Sequence, residues 1–234
     1  MSGHSKWSNI QHRKSNKDFI KSKKFSKIIK EISIAVKEKN KTSFRLKNAI
    51  LNAKSINVPK QTIERTIQKA SKIKKNYKNL SLEGQIHGIS LIIECITDNS
   101  VRTISNIRTF LNKKGGRLCH NGEIIHLFNR IGIFSIRKND IHFSLEDFEL
   151  MLIDFGAKDI FKEKEKVSIY TDFEYFGSMK NNLEKLKIPH LYQIKRISIQ
   201  QKKNITKENE KKILNLIEVL EKNEDIQNVY SNLI

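Results

Sequence analysis

Apolar residues recur at intervals of three and four positions in the first third of the chain, which is the spacing of one face of an α-helix. This pattern predicts three amphipathic helices, over residues 22–39, 43–54 and 59–70. Short amphipathic helices cannot bury their apolar stripes alone, so we expect the three to pack together as one small domain. The polar, basic stretch 71–80 that follows them is typical of a linker.

Beyond residue 80 the pattern alternates between strands and helices. Residues 132–199 predict the order βαββαβ, which is typical of the ferredoxin-like fold. An earlier run over residues 89–128 predicts β-α-β-β, with Asn121-Gly122 as a hairpin turn before a strand at 123–128. The helix and strand that would complete this second set are predicted at 207–222 and 226–230.

We therefore expect an α+β multidomain protein, with an N-terminal three-helix domain followed by two ferredoxin-like βαββαβ-type domains, one inserted in the other. Residues 1–78 are predicted to form the basic helical domain, 79–131 plus 200–234 the split α+β domain, and 132–199 the inserted α+β domain. Two consecutive irregular α+β domains are the alternative that the order of elements leaves open.

The positive charge of the chain is concentrated in the predicted helical domain. Residues 1–78 contain 22 Lys or Arg and 4 Asp or Glu, a net charge of +18, whereas residues 79–234 contain 23 and 21, a net charge of +2. A general compositional bias toward lysine would act evenly along the chain, and this distribution is not even. A segregated positive field attracts a polyanion to one end of a molecule, so we expect the first domain to bind one.

Cysteine content and hydropathy exclude several classes of protein. Cys95 and Cys119 are too few for a disulfide framework, lack the paired spacing of a zinc site, and suit a reducing compartment. No stretch approaches the roughly 18 to 20 apolar residues of a membrane span. The first 17 residues lack the apolar core of a secretory signal, although a basic, acid-free start also resembles a transit peptide. We expect a cytoplasmic protein with no membrane partner.

The densest group of chemically versatile residues opens the chain, in Gly3-His4-Ser5-Lys6-Trp7 and His12-Arg13-Lys14. Lys and Arg neutralise phosphates, and Trp and His can stack on bases or sugars. The alternative for Trp7 is a structural role, as an aromatic anchor packed on the helical bundle. His4 and His12 have no third ligand at a suitable spacing, so no metal site is expected.

Two further motifs are weaker candidates. Thr97-Asp98-Asn99 with Arg102 stands at a strand-to-helix turn, where it could present a helix N-terminus to an anion or simply cap the helix, with Arg102 exposed or paired to Asp98. Cys119 and His120 are adjacent on a predicted strand and therefore point to opposite faces. No catalytic residue, cofactor or metal ligand can be named, so we expect a protein that is not an enzyme.

Several segments resemble the YebC/PmpR family, which also includes the mitochondrial translational activator of a cytochrome oxidase subunit. The resemblance is carried, in chain order, by Gly3–Trp7, His12–Lys14, Arg45-Leu46, Asn57–Lys60, Ile63–Arg65, Glu83-Gly84, Glu94–Asn99, Arg102-Thr103, Gly115-Gly116, Asn121-Gly122, Asp154–Ala157 and Gln227–Tyr230. It implies a helical N-terminal domain and two α+β domains, one inserted in the other. It also implies a transcriptional regulator that binds DNA, or a factor that assists translation at the ribosome.

The chain departs from the family pattern in two places. The Gly/Pro-rich segment between the first two helices is replaced by Lys39-Asn40-Lys41-Thr42-Ser43, which makes that loop more basic. The Gly-rich turn after Glu83-Gly84 is reduced to Gln85-Ile86-His87-Gly88, so we expect no role that depends on glycine flexibility there.

These observations predict a nucleic-acid-binding regulatory protein, a DNA-binding transcriptional regulator with no enzymatic activity. The alternative is a ribosome-associated translation factor that binds ribosomal RNA. The excess of Lys over Arg favours contact with the phosphate backbone more than bidentate base reading, and a monomer is the default. The candidate contact residues are His4, Lys6, Trp7, His12, Arg13, Lys14, Lys17, Lys21, Lys23, Lys24 and Lys27, with Arg45, Lys60 and Arg65 as secondary contacts. We expect Lys21, Lys23, Lys24 and Lys27 to be solvated.

Overall fold

The computed structural model describes residues 6–37, 44–72, 77–201 and 205–233, with the backbone alone for residues 6–21 and Phe44. The first three helices are α1 (Lys6–Lys37), α2 (Phe44–Ser55) and α3 (Lys60–Lys72). The middle of the chain contains β1 (Lys78–Ile86), β2 (Ile89–Thr97), α4 (Ser100–Lys113), β3 (Gly116–Leu118), β4 (Phe128–Arg137) and α5 (Leu145–Asp154). The last elements are β5 (Asp159–Lys162), β6 (Lys166–Asp172), α6 (Phe176–Lys185), β7 (Leu191–Ser198), α7 (Lys207–Lys222) and β8 (Ile226–Ser231).

The three predicted N-terminal helices are present and share an apolar core. Ile32 of α1, Ala49 and Ala53 of α2, and Ile63 of α3 are buried against one another. Helix α1 has 32 residues, or about 48 Å at 1.5 Å per residue, and begins sixteen residues before its predicted start. Its first half is polar, so it offers no apolar stripe from which a helix can be recognised.

The turn between α2 and α3 is set by a left-handed residue. Asn57 has a φ of 60°, a conformation that Asn tolerates better than most residues. The Val58 amide donates to the Ala53 carbonyl at 2.9 Å and the Asn57 amide to the Lys54 carbonyl at 3.0 Å, which is the Schellman arrangement. Val58 is thereby buried with Ala53 in the core of the bundle.

The first sheet has four strands in the order β3-β1-β2-β8. Two of the elements predicted from the sequence in this region are wrong. The stretch 71–80 is not wholly a linker, because β1 begins at Lys78. Residues 123–128 do not form a strand either, since Ile125–Leu127 is a turn of 3₁₀ helix and β4 begins at Phe128.

A buried carboxylate explains why residues 123–128 leave the sheet. Glu83 is 2% exposed and its carboxylate accepts hydrogen bonds from the amides of Gly122 at 2.6 Å, Ile124 at 2.6 Å and Ile125 at 2.9 Å. Amides committed to this side chain cannot pair in a strand ladder. The loop therefore folds around Glu83.

The second sheet has the order β5-β6-β4-β7, and every neighbouring pair is antiparallel. Phe134 and Ile169 of this sheet pack with Phe148 of α5 and Met179 of α6 in one core. Gly132 allows the close approach of α6, because a Cβ there would lie 2.5 Å from Cδ2 of Phe176. The chain thus has a mixed α+β fold, with three N-terminal helices followed by two four-stranded sheets.

By internal contacts the chain divides into two units. Unit 1 takes its described residues from 1–82, 93–115 and 208–229, and unit 2 from 83–92, 116–207 and 230–234. Among the helices that the structure describes, none has the length and apolar character required to cross a membrane.

Candidate nucleic-acid interface

Helices α2 and α3 carry six exposed cations, which we call the bundle cations: Lys47, Lys54, Lys60, Arg65, Lys69 and Lys72. Their positions follow from helical spacing. Arg65, Lys69 and Lys72 stand at intervals of four and three along α3, on the side away from buried Ile63. Glu64 is the single acidic residue within the two helices, so the outer surface of α2 and α3 is strongly positive.

The one ion pair between α3 side chains in the described part of the chain does little to reduce this charge. Lys60 Nζ lies 3.8 Å from Glu64 Oε1, and both side chains are exposed. Such a pair contributes little free energy in water. Lys60 and Arg65, two of the predicted contacts, therefore remain accessible to a polyanion.

Arg45, the other secondary contact, is half-buried on α2. It faces Glu31 of α1, whose pKa lies above its ordinary value because burial outweighs the opposing charge of Arg45. Part of the Arg45 charge is therefore directed inward, toward the bundle.

Among the α1 lysines whose side chains the structure describes, some are exposed and others are bonded to backbone carbonyls. Lys24 is exposed, as expected. Lys23, Lys27 and Lys30, which we call the docking stripe, stand four and three residues apart and share the face of α1 that meets the end of α7 and the segment that follows it. Lys23 Nζ lies 3.4 Å from the Glu221 carbonyl oxygen, Lys27 Nζ donates to the Gln227 carbonyl at 2.6 Å, and Lys30 Nζ donates to the Glu224 carbonyl at 2.7 Å.

The docking stripe bonds to backbone carbonyls at and beyond the end of α7. Glu221 lies in the last turn of α7, where the carbonyls have no intrahelical partner and carry the negative end of the helix dipole. Glu224 follows the helix and Gln227 lies in β8. Lys27 is half-buried there, and its pKa is below the ordinary value because desolvation outweighs the attraction of Glu221. The expectation that Lys27 is solvated is therefore wrong, and its partner, 200 positions away, could not be inferred from local pattern.

Asp225 anchors this contact. Its side chain is 12% exposed, and its oxygens accept from Lys30 Nζ at 2.9 Å, Arg102 NH2 at 3.0 Å and Thr103 Oγ1 at 2.9 Å. Burial alone would raise the pKa of Asp225, and the hydrogen bonds from Lys30, Arg102 and Thr103 outweigh it, so the pKa is lowered. This network joins α1, α4 and the segment that follows α7.

The turn from β2 into α4 is built by capping. Asn99 Oδ1 accepts from the Arg102 amide at 3.0 Å, and Arg102 also pairs with Asp98 at 2.8 Å. Of the two interpretations of this motif, the structure supports the capping one. The bond from Arg102 to Asp225 was not predicted, because it joins residues 123 positions apart.

The remaining predicted contacts belong to the first part of the chain. The structure describes the backbone alone, as part of α1, for Lys6, Trp7, His12, Arg13, Lys14, Lys17 and Lys21. His4 lies outside the described residues. Conversely, sequence reasoning did not select Lys47, Lys54, Lys69 and Lys72. Their exposure could have been predicted from the sequence, since each falls on the polar side of an amphipathic helix.

The cysteines are poorly placed for chemistry. Burial raises the pKa of Cys95 to about 12 and also raises the pKa of the Cys119 thiol, whereas a reactive cysteine needs a lowered one. Within the described ranges, no three His, Cys, Asp or Glu side chains are grouped so that they could hold a metal ion.

Comparison with known proteins covers almost the whole chain. Residues 5–73 match the family described as TACO1/YebC protein N-terminal domain, and residues 77–233 match TACO1/YebC second and third domain. A probable transcriptional regulatory protein of Amoebophilus asiaticus is 40% identical over 100% of this chain and 98% of its own length. One of Kosmotoga olearia, also called a probable transcriptional regulatory protein, is 35% identical over 99% of this chain and 94% of its own length.

A solved structure is similar as well. The crystal structure of a conserved hypothetical protein from Aquifex aeolicus is 32% identical, with a TM-score of 0.72, over 91% of this chain and 90% of that chain.

Proposed function

Because the chain belongs to the TACO1/YebC family, whose relatives are named as transcriptional regulatory proteins, we propose that it regulates gene expression by binding nucleic acid through its N-terminal helices. The observation that carries the proposal is the set of bundle cations, six exposed positive side chains on two helices that contain one acid. Such a surface neutralises phosphates and releases their counterions, which is the main source of affinity in backbone binding.

Helix α1 extends the same chemistry along the molecule. Lys6, Arg13, Lys17 and Lys24 occur at intervals of seven, four and seven, which places these positions on one side of a continuous helix. The four positions span about 27 Å of the helix, and basic residues repeated over such a length suit the repeating charge of a nucleic-acid backbone. The docking stripe of Lys23, Lys27 and Lys30 occupies other positions of α1.

We propose DNA as the polyanion, with an activity confined to binding. Five of the six bundle cations are lysines, which contact phosphates as point charges and do not favour base-specific forks. The same chemistry accepts RNA. A direct comparison of the two polymers therefore belongs in the experiment.

The experiment is a salt titration of the full chain with a 20-base-pair DNA duplex and with an RNA hairpin of equal charge, followed by fluorescence anisotropy. If six phosphates are contacted, the logarithm of the association constant should fall with the logarithm of salt concentration at a slope of about −5. A slope near zero on both polymers contradicts the proposal. If the protein binds the RNA hairpin more tightly than the DNA duplex at matched salt, RNA is the polymer that it recognises.

For the architecture, we propose two ferredoxin-like units, one inserted in the other, with boundaries within a few residues of those predicted from the sequence, since β4 of the inserted unit begins at Phe128. The order β5-β6-β4-β7, with α5 and α6 between the strands, supports the unit at 132–199. In the split unit, β1 occupies the place expected for residues 123–128, beside β3 and β2. The two free cysteines support the cytoplasmic location that we also propose.

A further inference from the structure

A small cleft opens in unit 1 between α1 and the segment that follows α7. It has a volume of about 110 Å³ and is lined by Ser22, Lys23, Ser26, Lys27, Asn223 and Glu224. Ser22 and Ser26 are one helical turn apart, as are Lys23 and Lys27, so consecutive turns of α1 present the same pair of groups to the cleft. Two hydroxyls and two ammonium groups therefore line the same cleft.

Of the two ammoniums, that of Lys27 is the more buried. An ammonium has three hydrogen-bond donors, and the Gln227 carbonyl takes one of them at 2.6 Å. The lowered pKa of Lys27 has desolvation as its largest cause, which means that nearby charges do not fully compensate the half-buried ammonium. An anion in the cleft would supply that compensation.

The charges around the cleft select the type of anion. Lys23 and Lys27 contribute two positive charges and Glu224 one negative charge, while Glu221 and Lys222, which act on Lys23 from α7, oppose each other. The remaining charge of about +1 matches a monoanion, whereas a dianion would leave the cleft with a net negative charge. Asn223 Oδ1 accepts from the Asp225 amide at 2.9 Å, so its NH₂ group remains a donor.

We propose that this cleft is a seat for one phosphodiester of a bound nucleic acid, held by Lys23 and Lys27 and by the hydroxyls of Ser22 and Ser26. The inference rests on the proposed function and adds to it a defined position for one phosphate. A phosphate held at one place fixes the register of the protein on the polymer, whereas dispersed surface lysines supply affinity without register.

The first experiment uses dimethyl phosphate, a monoanionic phosphodiester, with the full chain. In amide NMR spectra, dimethyl phosphate should shift the signals of Ser22, Ser26, Lys27 and Glu224 in a saturable manner, and sodium chloride at equal ionic strength should not. The double variant Ser22→Ala/Ser26→Ala should weaken this binding several-fold. Shifts equal to those of chloride, or the same affinity in the double variant, would overturn the seat.

The second experiment uses the DNA duplex. The same double variant should lower affinity about 5- to 10-fold and leave the salt slope unchanged, because the two hydroxyls carry no charge. Ser105→Ala, at an exposed position of α4, is the matched control and should have no effect. If the wild type and the double variant bind the duplex equally well, the proposed phosphate seat is wrong, but the proposed function is not contradicted. Dimethyl phosphate binding without any nucleic-acid binding contradicts both.

Discussion

The ammonium of Lys30 lies 2.9 Å from Oδ1 of Asp225, although 195 positions separate the two residues in the chain. Their side chains are 13% and 12% exposed, so the contact is nearly buried. Arg102 and Thr103 bond to the other carboxylate oxygen of Asp225. One carboxylate near the end of the chain therefore fixes α1 against α4.

Asp225→Asn should destabilise the protein substantially. The substitution leaves the ammonium of Lys30 without its charged partner in a nearly buried place, for which we expect a loss of about 2–4 kcal/mol in the free energy of unfolding. Urea denaturation followed by circular dichroism measures it. Glu224→Gln, at the neighbouring exposed position, is the control and should change stability by less than about 0.5 kcal/mol. Equal effects of the two substitutions would contradict the role assigned to Asp225.

The same carboxylate should produce a pH dependence of stability. The pKa of Asp225 is lowered in the folded protein, so its contribution is fully present above the pKa of an unfolded Asp, about 3.9. The contribution is lost as the pH falls through the folded pKa. The difference in unfolding free energy between wild type and Asp225→Asn should therefore be constant from pH 7 to about 5 and shrink below about 4. A difference that grows on acidification would reverse this assignment.

Glu83→Gln should loosen the loop at residues 119–125. The Glu83 carboxylate accepts three backbone N–H groups, whereas a glutamine presents one oxygen and an NH₂ group that would oppose an amide donor. We expect the free energy of unfolding to fall by about 2 kcal/mol and hydrogen exchange at the Gly122 and Ile124 amides to become faster. Glu123→Gln breaks the exposed pair with Arg117 and should have a smaller effect on both measurements.

The helices of the first domain were predictable because their cores repeat at helical spacing. Ile32, Ala49 and Ile63 mark that pattern. The start of α1 was not predictable, since its first half is polar. Strand β1 did leave a signal, because Leu80, Leu82 and Ile86 alternate with other residues, but its basic beginning resembles a linker.

The sequence could not show which lysines of α1 are exposed and which are bonded to other parts of the protein. Lys24 and Lys27 are both polar residues of α1, one exposed and one bonded to the Gln227 carbonyl. Only the tertiary fold brings the Gln227 carbonyl of β8 to one of them. Exposure of the bundle cations was predictable in principle, because each helix had already been assigned an apolar face.

Gly156→Ala and Gly177→Ala should change stability in opposite directions. Gly156 has a φ of 98°, and a Cβ there would lie 2.5 Å from Cβ of Tyr175. We expect a loss of at least about 1–3 kcal/mol from the strained backbone, with more from the clash. Gly177, in α6, has nothing within 4 Å of an added Cβ, so alanine should stabilise by about 0.4–1 kcal/mol. Thermal denaturation of the two variants measures both effects, and a stable Gly156→Ala would contradict the geometry of this turn.

Neutralising two bundle cations should weaken nucleic-acid binding without affecting the fold. Lys69 and Lys72 are exposed at the end of α3, so Lys69→Gln/Lys72→Gln should leave the unfolding free energy within about 0.5 kcal/mol of wild type. If both side chains contact phosphates, the slope of log association constant against log salt should become less negative by about 2. Lys185→Gln/Lys187→Gln removes the same charge from exposed positions of unit 2 and should leave the slope unchanged. Equal slopes for the two double variants would mean that net charge alone governs binding, and the bundle cations would then lose their assigned role.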